Sequence, residues 1–150
     1  FPDDDFDAAV LLNSLHHVPG PQMAAALDEA ARVSRGAVLV IEPLALGAFF
    51  EAMRPVEDET AIRAEAQDAI AAAVAEGRLR LVKSGEFDDV RRFPDVDAFL
   101  ARVVAVDPAR AEPARKARPE VAALFARWGQ PEGEVVALSQ PHRAHLLARP

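Results

Sequence analysis

Two short stretches of the chain are apolar without alternation: Ala8 to Leu12 (AAVLL) and Ala37 to Ile41 (AVLVI). Unbroken runs of this length are the signature of strands covered on both faces inside a parallel sheet. Between them Pro21 opens a helical pattern, with Met23, Leu27, Ala30 and Ala31 on one stripe and Gly36 placed as a helix C′ residue. Strand, helix and strand in this order form a right-handed βαβ unit, so the predicted class is α/β.

Beyond the second strand, Asp58 to Glu76 predicts a long alanine-rich helix with Ile62, Ala66, Ala69, Ile70 and Ala73 on one side and Gly77 at its end. Leu79, Leu81 and the stretch from Phe87 to Phe93 predict a strand broken or bent near Ser84-Gly85. Asp95 is an N-cap candidate, and Val96, Phe99, Leu100, Val103 and Val104 follow it at helical spacing. Three prolines, Pro108, Pro113 and Pro119, then suggest an exposed connection. A further helix is expected from about Pro119, carrying Val121, Leu124, Phe125 and Trp128, with Phe99, Phe125 and Trp128 all read as core. Val135 to Leu138 and Ala144 to Ala148 give either two final strands or one interrupted at Gln140-Pro141. His142 and His145 are expected at the surface of that last segment.

Composition narrows the function classes. The formal charge is −7, and Lys and Arg are scattered among Asp and Glu rather than gathered with aromatics, which argues against a nucleic-acid partner. No apolar run approaches the roughly 20 residues of a membrane-spanning helix, and no basic-then-apolar leader is visible. With no cysteine there is neither a disulfide framework nor a thiolate metal site, and a cytoplasmic location is the default. The opening Phe1-Pro2-Asp3-Asp4-Asp5 reads as a chain entered midway.

In open α/β sheets ligands bind beyond the carboxyl ends of the parallel strands. The segments to search are therefore Asn13-Ser14-Leu15-His16-His17 and Glu42-Pro43. If the two strands are neighbours, His16, His17 and Glu42 surround one crevice as proton acceptors for a nucleophile. A metal site is not expected, because adjacent histidines on extended chain point to opposite faces and no third ligand has suitable spacing. Arg54, Glu57 and Asp58 read either as a lid over a pocket or as a solvated helix start.

The blocks FPDDDFDAAVLLNSLHHV and ALDEAARVSRGAVLVIEP resemble the middle of the class I S-adenosylmethionine-dependent methyltransferases of the type 11 family, from Phe1 to Pro43. Ser34-Arg35-Gly36 departs from that family's longer Leu-Arg-Pro-Gly-Gly turn. The resemblance implies a partial Rossmann-like sheet, strands four to seven of the family layout, with flanking helices. It also implies that residues 1–150 are the C-terminal part of one methyltransferase domain, lacking the glycine-rich turn and the acidic ribose partner of the cofactor half. Carried over by position, Asn13, Ser14 and Leu15 touch the methionine part of S-adenosylmethionine, His16 or His17 accepts a proton, and Glu42 faces a small-molecule methyl acceptor. The fragment alone is expected to be inactive. The layout leaves Ala8 to Leu12 as an open edge, which makes self-association there, or a non-catalytic assembly module, the alternative expectation.

Overall fold

The computed structural model describes all residues from Phe1 to Pro150. The chain is mixed α/β. The first strand, β1 (Phe6–Leu12), is followed by a 3-10 turn (Leu15–His17), then α1 (Gly20–Val33) and β2 (Ser34–Pro43). Next come α2 (Ala48–Met53), α3 (Thr60–Ala75) and β3 (Arg80–Phe93). The chain closes with α4 (Val96–Val106), a 3-10 turn (Pro108–Arg110), α5 (Ala111–Trp128), β4 (Gln130–Glu132) and β5 (Val135–Ala148). The five strands form one sheet of order β1-β2-β5-β3, with β4 pairing β5.

Two compact units divide the chain. The first contains residues 1–44, 60–87 and 142–150. Here β1 and β2 are parallel, with Ala9 beside Val38 and Leu11 beside Val40. The end of β5 runs antiparallel to β2, pairing Leu147 with Val38 and Arg143 with Glu42. Side chains alternate along a strand, so these registers sort the sheet into two faces. Val38, Val40 and Leu147 pack into one core with Met23 and Leu27 of α1, Ala66 and Ile70 of α3, and Leu15 and Leu79.

The opposite face bears the rows Val10–Leu39–Leu146 and Leu12–Ile41–Ala144, and neither α1 nor α3 lies on it. Val10 is 61% exposed and Leu12 59%. The double cover expected for Ala8 to Leu12 is therefore wrong on one side: β1 is an edge strand, packed only through Ala9 and Leu11. Leu39, Ala144, Leu146 and Phe87 line a shallow pocket of about 270 Å³ on this face.

The second unit contains residues 45–59 and 88–141, with its own core of Phe49, Phe50, Phe93, Phe99, Val103, Val121, Phe125 and Leu138. Phe99 is its centre, edge-on to Phe49 and Phe93 at centroid separations of 5.2 and 5.4 Å. Asp95 caps α4 as expected, accepting the Ala98 N–H at 2.8 Å. Arg110 is buried between Glu57 and Glu59, its Nη2 donating to Glu59 at 2.6 Å. Glu57 is thereby a clasp on the turn before α5, which is neither the lid nor the plain helix start expected of it.

Several expected boundaries shift. Gly36 lies inside β2, three residues past the end of α1, and a Cβ there would meet the Asp7 carbonyl at 2.9 Å, so glycine serves close strand packing instead of a helix cap. β3 runs unbroken through Ser84-Gly85. The stretch expected as an exposed connection is the first half of α5, which holds both Pro113 and Pro119. Pro113 falls in the first turn, where its missing N–H has no intrahelical partner to lose. β5 is one strand: Pro141 lies between His142, the last partner of β2, and Ala137, the first partner of β4, so neither strand pairs with it.

Candidate functional site

The ends of β1 and β2 meet, as their parallel register requires, and the side chain that joins them is Glu42. Its carboxylate is 1% exposed and accepts the main-chain N–H groups of Ser14 at 3.0 Å, Leu15 at 2.8 Å and His16 at 3.4 Å. It also pairs with Nδ1 of His16. The chain can present three consecutive amides because Asn13 adopts a left-handed conformation, φ 49°, while its own N–H stays on Ile41 at 2.8 Å. That residue breaks the strand alternation and turns the next three N–H groups inward, an anion-binding concavity of the kind successive amides make.

Burial pushes the Glu42 carboxyl up, but the His16 hydrogen bond and the Leu15 and Ser14 amides outweigh it and hold the group below its usual value of 4.5. A carboxylate so placed fixes the His16 ring with Nδ1 toward Glu42 and leaves Nε2 as the second ring nitrogen.

The expected residues divide accordingly. Glu42 and His16 are brought together, both buried. His17 is exposed beside them, its ring centroid 4.1 Å from that of His16. Leu15 sends its side chain wholly into the core, so only its main chain can serve a site. Ser14 and Leu15 already give their amides to Glu42. Asn13 keeps an unused acceptor, since its buried Oδ1 has no partner.

A cofactor with a carboxylate, a sulfonium, a ribose and an adenine demands more groups than these. The residues present do not by themselves make a site for S-adenosylmethionine.

A second polar cluster escaped the sequence. Arg143, the cross-strand partner of Glu42, donates to Gln67 of α3 at 3.3 Å and to Glu86 at 2.7 Å. His145 shares the Gln67 oxygen at 3.2 Å, and desolvation followed by the nearby Arg143 charge lowers its pKa below 6.5. His142, expected at the surface, is 3% exposed and stacks on Phe87 at 5.4 Å. A signal existed: period-two alternation from Pro141 to Leu147 puts His142 with Ala144 and Leu146, on the apolar side.

The chain aligns over its whole length with a candidate methyltransferase of Bacillus halodurans C-125, at TM-score 0.60 and 16% identity, spanning 72% of that protein. It aligns equally completely with the (4+2)-cyclase SpnF, at TM-score 0.51 and 17% identity, spanning 53% of it. This α/β fold is thus shared with proteins of two different descriptions. No family model and no curated protein matches the chain. No helix is long and apolar enough to cross a membrane.

Proposed function

We propose that the chain is the acceptor-side part of a class I S-adenosylmethionine-dependent methyltransferase of the type 11 kind, acting on a small molecule in the cytoplasm. The cofactor-binding part is then supplied by other polypeptide. One observation carries this reading: the first unit has a parallel strand at an open edge and, continuous with it, an apolar sheet face with no layer over it. A strand beside β1 and a covering layer are what such a sheet lacks. The resemblance of residues 1–43 supplies the chemistry, because a fold shared with a cyclase leaves methyl transfer unassigned.

In this reading the bound cofactor supplies an electrophilic methyl group, and the chain supplies proton handling. His16 holds its Nε2 lone pair as the proton acceptor for the attacking atom. Glu42 acts through it, as a positioning residue, and Asn13 Oδ1 is the open acceptor on the cofactor side.

Calorimetric titration with S-adenosylmethionine tests the proposal. The 150-residue chain should be silent, and the longest polypeptide encoded with the residues upstream of Phe1 should bind. Tight binding by the 150 residues alone would sink the idea that the cofactor part lies elsewhere.

The exposed Val10 and Leu12 on the β1 edge favour one other reading, a non-catalytic module that pairs through Ala8 to Leu12, with itself or another chain. Sedimentation decides it: a monodisperse, stably folded monomer eliminates this alternative.

A further inference from the structure

The second unit holds a pocket that the preceding assignments leave unused. It encloses about 500 Å³, within the range of small-molecule sites. Its walls are Glu51 of α2, Val90 of β3, Trp128 at the end of α5, Glu132 of β4, and Ala137 and Ser139 of β5. Gly47 closes one side: it has φ 96°, and a Cβ there would sit 2.3 Å from Pro141 Cδ and 2.8 Å from the Ser139 carbonyl, so only glycine lets the backbone pass this close.

The chemistry of the lining is one-signed. Val90 and Ala137 give apolar surface, Trp128 gives an indole 40% exposed, and the only charged lining groups are the two carboxylates. Their arginine partners, Arg54 on Glu51 at 3.3 Å and Arg92 on Glu132 at 2.7 Å, are not part of the wall. Trp128 also ends the 18-residue α5, whose carbonyl end carries partial negative charge.

The exposure of Trp128 is itself informative. Val121 and Phe125 of the same helix are buried, whereas this largest apolar side chain is left at the pocket wall. The ring already accepts a cation, since the Arg127 guanidinium lies 5.3 Å from its centroid.

We propose that this pocket binds a small organic cation, an ammonium group carried on an apolar body. The body packs against Trp128, Val90 and Ala137, and the ammonium lies against the indole face between Glu51 and Glu132. Anions are turned away by the same carboxylates.

Trp128 is the only tryptophan and the chain has no tyrosine, so its fluorescence reports this wall alone. Phenethylammonium should produce a saturable change, 2-phenylethanol should bind about tenfold more weakly, and 3-phenylpropanoate should give no saturation. Glu51→Gln and Glu132→Gln should each weaken the ammonium several-fold and leave the alcohol unaffected, a split that damage to the fold would not produce. Equal affinity for ammonium and alcohol, saturable binding of the carboxylate, or full ammonium affinity in the double variant would overturn the proposal. No cofactor takes part, so the outcome is independent of the methyltransferase reading.

Discussion

The two faces of the first unit's sheet are built from alternate residues of the same strands, yet they have opposite fates. Val38, Val40 and Leu147 are almost wholly buried under α1 and α3. Their neighbours Leu39 and Leu146 border an open pocket, and Val10 and Leu12 stand in solvent. Both faces are apolar, so composition does not distinguish them. What does is the supply of helices: the chain has two in this unit and spends both on one side. Contiguous apolar surface of this kind is uncommon on monomeric proteins, and it is what the proposed assembly would cover.

The largest effect should come from the covered face. Leu147→Ala removes a side chain with no exposure from among α1, α3 and β2, and urea denaturation should show a loss of about 2–5 kcal/mol. A loss below 1 kcal/mol would mean that the two faces do not differ as described.

Glu42 ends the same face, and Glu42→Gln should cost about 2–3 kcal/mol, because it replaces a buried carboxylate that accepts several hydrogen bonds with an amide. The pH dependence sharpens this prediction. Glu42 has a folded pKa below 4.5, so its stabilisation is present above 4.5 and is lost as pH falls through the folded value. His145 has a folded pKa lowered below 6.5, so the unfolded chain takes up its proton first and stability already falls as pH drops below 6.5. Denaturation followed from pH 7 to 3 should therefore show two successive declines. Glu42→Gln should flatten only the lower one.

The smallest effect on stability belongs to the open face. Val10→Lys with Leu12→Lys should change the unfolding free energy by less than about 0.5 kcal/mol, as expected of exposed positions. The same pair should reduce binding of a hydrophobic dye and any self-association seen in sedimentation. Strong destabilisation would show that this face is covered after all.

The core of the fold was legible wherever apolar periodicity carried it. The runs at Ala8 and Ala37 mark β1 and β2, and the stripes from Met23, Ile62 and Val96 mark α1, α3 and α4. Proline misled where position mattered more than identity, since Pro113 is harmless in a first helical turn and Pro141 falls where neither β2 nor β4 pairs. Burial misled at Trp128, which sits on the helical stripe expected of core and proves to line a pocket. At the candidate site the meeting of His16 with Glu42 could be foreseen from adjacent parallel strands. That Glu42 turns inward onto three amides could not, because it depends on the left-handed Asn13, a conformation that no local pattern announces.

The strand order has a consequence for how the molecule comes into being. β5 lies between β2 and β3, both of which precede it in the sequence. Until Ala148 leaves the ribosome the sheet has a gap at its centre, and β2 and β3 each wait with an unpaired side. Closure of this sheet therefore waits on β5, and until that strand is made β2 and β3 are open to wrong pairings.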